Sequence, residues 1–285
     1  ASDVTALVNL DELYEGIKEG QSFEDVMDLA AEIVQTKKID EDLRLIEDYE
    51  YAKNHLMIRL SNAEKNKDIL KSAPYEAAED LAITYHVAIL RPGGDLHTML
   101  IDNKIMNKYG ITKKQLHEDA VRNSPHIAPP ILESYFSIVM RLAGIVPEAG
   151  MKMPFPPGNA CREFCFDNLY TLSSRVNNGA AAFFYQDMPR HIAAVMGGDY
   201  YVLPSSIHEM VLVKDTGDMS AYDLKQIVKH VNETEVSREE WLSDTPYHYS
   251  EKEEIFETAE KYEMRRGNDF SHEEVIEEKE EPSLA

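Results

Sequence analysis

Ser205, Ser206, His208 and Glu209 stand within five positions of one another: two hydroxyls, an imidazole and a carboxylate. These are the groups of nucleophilic hydrolysis or group transfer, in which a hydroxyl attacks, an imidazole takes its proton and an acid orients the imidazole. Their spacing works against that assembly. On a continuous strand Ser206 and His208 share one face while Ser205 and Glu209 share the other. Alternate side chains along a strand stand too far apart for the contact of about 2.6–3.2 Å that a nucleophile and its base require. Only a sharp bend at Pro204 would bring Ser205 back toward His208. The Gly-x-Ser-x-Gly elbow that lifts a nucleophile above its sheet is absent. The spacing therefore predicts a kinked turn whose serine hydroxyls satisfy free backbone groups, with His208 and Glu209 on its rim.

Other constellations are weaker. His-Glu occurs at 117–118, 208–209 and 272–273 and never continues to His-Glu-x-x-His. His86 and His97 are expected to face each other across a strand pair, with Asp80 and Asp95 near in sequence, and packing is the ordinary use of such histidines. Cys161 and Cys165 are the only cysteines, too few for a zinc site, and read as reduced thiols. Neither Gly-x-x-x-x-Gly-Lys nor Gly-x-Gly-x-x-Gly occurs, and Gly197-Gly198 follows a predicted helix where a dinucleotide fingerprint would follow a strand. The expectation is no catalytic residue, no cofactor and no metal.

The elements that would position these residues are legible in part. Leu10, Leu13, Tyr14 and Ile17 follow a helical period, Gly20 stops it, and Ser22 with Asp25 caps a second helix. Residues 41–60 read as a helix running into a short strand at Leu56–Leu60. Leu81–Leu90 and Leu96–Ile101 read as strands around Arg91-Pro92-Gly93-Gly94-Asp95. Thr112 caps a helix that ends at Asn123-Ser124-Pro125, and residues 130–143 form another. Residues 146–160, with Pro147, Pro154, Pro156 and Pro157, read as a linker between residues 1–145 and 161–250. The second half reads ββαββα. Asn177-Asn178-Gly179 turns a hairpin between Leu169–Val176 and Ala180–Tyr185. Pro189 opens a helix that Gly197 closes, two strands flank Pro204, Ser220–Val231 is helical, and Tyr247–Tyr249 adds a strand. Residues 251–264 read as an exposed helix within an acidic, partly disordered tail, 251–285, holding 13 acidic and five basic side chains, with 267–285 expected to be loose. The fold class is α+β: mainly antiparallel sheets with packed helices, in two lobes.

Charge excludes whole classes of function. Basic residues number 29 and acidic 52, a net charge of −23. Such a surface repels phosphate backbones and anionic membranes. No apolar run reaches the ~18–20 residues that cross a bilayer, and Ala1-Ser-Asp-Val-Thr lacks the features of a secretion signal. The localisation read from this is cytoplasmic.

With these motifs in place, the chain resembles domain of unknown function 5688. The stretches are Asn9–Tyr14, Arg59-Leu60-Ser61-Asn62 with Asn66, Asp80–Tyr85, Leu116 to Pro125, Asp199–Val213, Val231-Asn232 with Val236, and Leu242-Ser243-Asp244. The resemblance spans residues 9–250, leaves the tail after residue 255 outside, and implies a bacterial, cytosolic, mixed α and β protein. Such proteins carry more sequence before the first helix, so a further N-terminal segment is expected. The family has no established activity, and no catalytic residue transfers from it. The functional expectation is a non-catalytic binding or interaction protein with an unidentified protein or small-molecule partner. The alternative is a hydrolase or transferase using Ser205 or Ser206 with His208 and Glu209.

Overall fold

The computed structural model describes residues 14, 17–18, 20–28, 45–90, 96–142, 168–176, 178–204 and 206–267. The chain divides into two compact units, Ala1–Ala52 and Lys53–Ala285. In the first, Ser22 Oγ accepts the Asp25 N–H at 3.0 Å while the Asp25 carboxylate accepts the Ser22 N–H at 3.3 Å. That reciprocal pair caps the helix at residues 23–28, as the Ser22–Asp25 spacing predicts.

The second unit carries two antiparallel sheets. The first contains β1 (Leu56–Asn62), β2 (Tyr75–Ala78), β3 (Leu81–Leu90) and β4 (Leu96–Leu100). Ten-residue β3 takes β1 along one edge and β2 then β4 along the other. Period-two alternation sends Leu56, Ile58 and Leu60 of β1 to the same buried face as Leu81, Ile83, Tyr85 and Val87 of β3. The Lys113–Ile127 helix covers that face with fully buried Leu116 and Ala120, and the Tyr85 hydroxyl meets His117 Nδ1 at 3.0 Å. The same helix closes the free edge of β1: Ser124 Oγ accepts the Ile58 N–H at 2.9 Å, and the Asn123 amide donates to the Leu56 carbonyl at 2.9 Å. Thr112 caps this helix, accepting the Gln115 N–H at 3.2 Å. The end differs from expectation. The helix runs through Pro125 to Ile127, because anchoring of Asn123 and Ser124 to β1 outweighs the lost proline donor.

The second sheet adds β5 (Pro130–Ser134), β6 (Leu169–Ser174), β7 (Tyr200–Leu203), β8 (Met210–Lys214), β9 (Tyr247–Ser250) and β10 (Ile255–Thr258), in the order β10-β9-β7-β8-β6-β5. Central β7 is buried at all four positions. Tyr201 and Leu203 pack against Leu224 and Val228 of the Ala221–Thr234 helix, while Tyr200 meets Phe183 edge to face at 6.5 Å on the other side. Ser220 and Asp223 cap that helix reciprocally. The Met188–Met196 helix carries Pro189 near its start and stops at Gly197, whose φ of +75° lies in the left-handed region.

Three segments correct the sequence reading. Residues 130–143 divide into strand β5 and the Tyr135–Leu142 helix, because Pro129-Pro130 holds the chain extended and Ser134 Oγ, accepting the Ser137 N–H at 3.1 Å, starts the helix only there. Ala180–Tyr185 is no hairpin strand: Gly179–Phe184 forms a buried 3₁₀ helix. Asn178 has the expected positive φ, 73°, yet the chain beyond it coils into the 3₁₀ helix against β6 and does not pair with β6 as a strand. Finally, 251–264 is no exposed helix. β10 pairs with β9, and the helix at residues 259–267 begins with fully buried Ala259.

The α+β class with antiparallel sheets stands. Residues 146–160, Cys161, Cys165 and residues 268–285 lie outside the described residues. No helix among the described residues is long and apolar enough to cross a membrane.

The two sheets are joined through Asp80. Its carboxylate accepts the hydroxyls of Ser243 at 2.6 Å, Thr245 at 3.3 Å and Tyr247, residues more than 160 positions away in sequence. Ser243 and Tyr247 are buried, so losing the shared acceptor strands their hydroxyls. Asp80→Ala is expected to lower the urea-unfolding free energy by about 2–4 kcal/mol. A loss under about 0.5 kcal/mol, within ordinary surface variation, would remove Asp80 from this role.

Candidate functional site

Between β7 and β8 the chain is sewn down on two sides. Ser206 forms an isolated antiparallel bridge with Trp241, the Ile207 N–H donates to the Glu240 carbonyl at 2.9 Å, and the Ile207 carbonyl accepts the Ala180 N–H at 3.1 Å. Ser206 Oγ accepts the His208 backbone N–H at 3.1 Å. The His208 ring is occupied at both nitrogens. Nδ1 accepts the Asn178 backbone N–H at 3.3 Å, which leaves the proton on Nε2 to donate to Glu240 at 3.1 Å. The hydrogen bond from His208, followed by that from Ser237, holds the Glu240 carboxyl below its ordinary range. The acid beside His208 is thus Glu240, which sequence distance hid; no described residue pairs with the Glu209 carboxylate. Ser205 lies outside the described residues.

Gly179 permits this arrangement. A Cβ there would fall on the Ser174 nitrogen, the His208 carbonyl oxygen and the Ser173 carbonyl carbon, all backbone atoms.

Beside this turn opens a cleft of about 350 Å³. Its floor is the second face of the first sheet. Register sets Arg59 opposite Thr84, Met57 opposite His86 and His86 opposite Leu100, so Arg59, Thr84, His86 and Leu100 share that face. One wall is Asn62, Lys65, Asn66, Ile69 and Leu70; the other is Asn178, Ile207, Glu239 and Trp241. His208 and Ser206 do not line it.

The floor is unusual for its charges. Arg59 donates to Thr98 Oγ1 at 2.7 Å and has no carboxylate partner among the described residues. Burial lowers the pKa of its guanidinium, which nonetheless stays charged. Thr84 Oγ1 meets His86 Nε2 at 3.0 Å, while His86 Nδ1 is buried without a hydrogen-bond partner. Burial, and then the charge of Arg59, hold the His86 imidazole down to about 3, so it is neutral at physiological pH. On the wall, Lys65 Nζ sits 3.4 Å from the centroid of Trp241 and donates to the carbonyls of Arg238 and Trp241 at 3.3 and 3.4 Å. Trp241 is fixed in turn by Asp244 Oδ1, which accepts its indole N–H at 2.9 Å and the Asn232 amide at 2.8 Å.

The expected facing of His86 and His97 is corrected by register. His97 pairs with Ile89 and therefore points away from His86. Asp80 is engaged by three hydroxyls, and Asp95 lies outside the described residues. Among the described residues no cluster of three or more His, Cys, Asp or Glu side chains is placed to hold a metal. A second buried pair sits away from the cleft. Fully buried His248 bonds Asp215 Oδ2 at 3.2 Å and stacks on Tyr262, ring centroids 3.4 Å apart. Burial raises the Asp215 carboxyl, but hydrogen bonds from His248 and the Gly217 N–H outweigh it and leave the net direction downward.

Sequence reasoning missed Arg59, Lys65 and Trp241. One signal was present: an arginine inside the apolar strand run Leu56-Met57-Ile58-Arg59-Leu60, with no acid within two positions.

A family model described as a family of unknown function, DUF5688, matches residues 1–251. No curated protein and no solved structure matches the chain.

Two outcomes are expected. Gly179→Ala pushes Cβ into three backbone atoms and should destabilise by about 1–3 kcal/mol or more in chemical denaturation; an unchanged midpoint would mean the segments part freely. For His86, the unfolded imidazole protonates near 6.5 and the folded one only near 3. The unfolded chain therefore takes the extra proton first, and stability falls as pH drops from 6.5 toward 3. His86→Gln should flatten that part of the stability–pH curve, and an identical slope would show the imidazole to be solvated.

Proposed function

The chain belongs to DUF5688, a family of unknown function, and we propose that it is a non-catalytic small-molecule binding protein whose seat is the cleft between the Arg59 face of the first sheet and Trp241. The observation that carries this reading is a guanidinium on the cleft floor with no carboxylate partner among the described residues. A partly buried charge without a counter-ion is costly, and a bound anion would relieve that cost. The volume falls within the range of about 300–1,000 Å³ common for small ligands, and the lining sets Leu70, Leu100, Ile207 and Trp241 among a larger number of polar side chains.

Binding is favoured over hydrolysis by the state of His208. Its Nδ1 lone pair and its Nε2 proton are both engaged, by Asn178 and Glu240, and neither nitrogen bonds a hydroxyl among the described residues. With two cysteines in 285 residues, a reducing bacterial cytoplasm is the setting this reading adopts.

Trp241 is the only tryptophan, so its fluorescence reports directly on the cleft wall. Titrating the purified chain with a small-molecule library should yield compounds that change this emission saturably at one equivalent and are recovered chemically unaltered. Turnover of an ester or phosphoester that His208→Ala abolishes would replace the reading with the hydrolase alternative.

A further inference from the structure

We infer that the cleft takes a small organic monoanion, its carboxylate or comparable oxyanion on Arg59 and its apolar body against Leu70, Leu100, Ile207 and Trp241. This deepens the binding reading and rests on it.

The sign of the ligand's charge comes from local balance. Within a chain of net charge −23, the cleft lining holds two cations, Arg59 and Lys65, against one carboxylate, Glu239. Lys65 is engaged with two carbonyls and the indole, whereas Arg59 gives one described hydrogen bond, to Thr98. A guanidinium carries five N–H donors in a planar fork, a match for a carboxylate or phosphate edge. His86 beside it is neutral and supplies a further buried polar atom, Nδ1, that lacks a partner. A cationic ligand would meet Arg59 and Lys65 with only Glu239 in compensation, and a neutral one would leave the guanidinium desolvated without a counter-ion.

The size of the ligand's charge is limited by the whole molecule. The surface field opposes anions until they come within a screening length, about 8–10 Å at physiological ionic strength. Polyanions and nucleic acids feel that repulsion along their length, whereas a single charge is drawn in by Arg59 at close range. The apolar side chains of Leu70, Leu100, Ile207 and Trp241 then favour an ion with a hydrophobic body over inorganic phosphate.

The test uses matched pairs: benzoate, phenylacetate and hexanoate against benzamide, phenylacetamide and hexanamide, read by Trp241 fluorescence and calorimetry at constant ionic strength, with inorganic phosphate alongside. At least one acid should bind tenfold or more tightly than its amide, and phosphate should bind more weakly than that acid. Arg59→Met should erase the preference while leaving the ligand-free melting temperature unchanged or higher, because it removes a partly buried charge with no counter-ion among the described residues. Equal affinity for acids and amides, or acid binding that survives Arg59→Met, would overturn the anion assignment and leave the binding reading intact. Phosphate binding above the acids would overturn the organic part of the assignment. A ligand-free chain that melts earlier as Arg59→Met would show Arg59 to be a structural residue and overturn it too. Silence from this panel together with the whole library would sink the binding reading itself.

Discussion

Asp80 is the acceptor on which the second unit is built. A single carboxylate at the turn between β2 and β3 gathers the hydroxyls of Ser243, Thr245 and Tyr247, and so ties the first sheet to the segment that enters β9. Within the first sheet the Asp80 carbonyl accepts the Ala63 N–H at 2.9 Å, extending the β1–β3 pairing to the residue that carries the carboxylate. Charge-assisted bonds of this kind are stronger than neutral ones and fix direction as well as distance. The consequence reaches the cleft. The floor belongs to the sheet that Asp80 ends, and one wall, Trp241, lies a few residues before the hydroxyls that Asp80 holds. Asp244 and Asn232 then lock that wall locally. Floor and wall are set by one carboxylate.

Local chemistry was legible in the sequence, and long-range pairing was not. The caps at Ser22, Thr112 and Ser220 and the Pro189-to-Gly197 helix depend on residues within a few positions of each other, so their spacing alone carries them. Strands β3, β4, β7 and β8 declare themselves through alternation or continuous apolar runs bounded by turn residues. Ala180–Phe184 failed that test because a short apolar run suits a strand and a buried helical turn equally, and the choice fell to packing of Phe183 against Tyr200 and Phe256. β10 failed for a different reason. Glu253, Glu254 and Glu257 read as a solvated face, and only pairing with β9 makes Ile255–Thr258 extended.

The candidate site shows the same division. The Pro204 turn was conspicuous because its reactive groups are neighbours in sequence. The cleft is built from Arg59, His86 and Trp241, which share no local pattern and meet only through strand register and the Asp80 tie. The stretches that carry the family resemblance anticipated it indirectly. They supply Arg59, Ser61, Asn62, Asn66 and Thr84 to the cleft lining, and Asp80, Asn232, Ser243 and Asp244 to its support.

β10 and the helix at residues 259–267 fall past the end of the family match at residue 251, yet they are woven into the core. Tyr262 roofs the His248–Asp215 pair, and β10 occupies the outer side of β9. Without them β9 would be the outer strand, its amides and carbonyls on that side unpaired beside Tyr247 and Tyr249. The stretch from Ile255 to residue 267 therefore carries the sheet's edge outward by one strand, from tyrosine-bearing β9 to β10, whose Glu257 is held by Arg265.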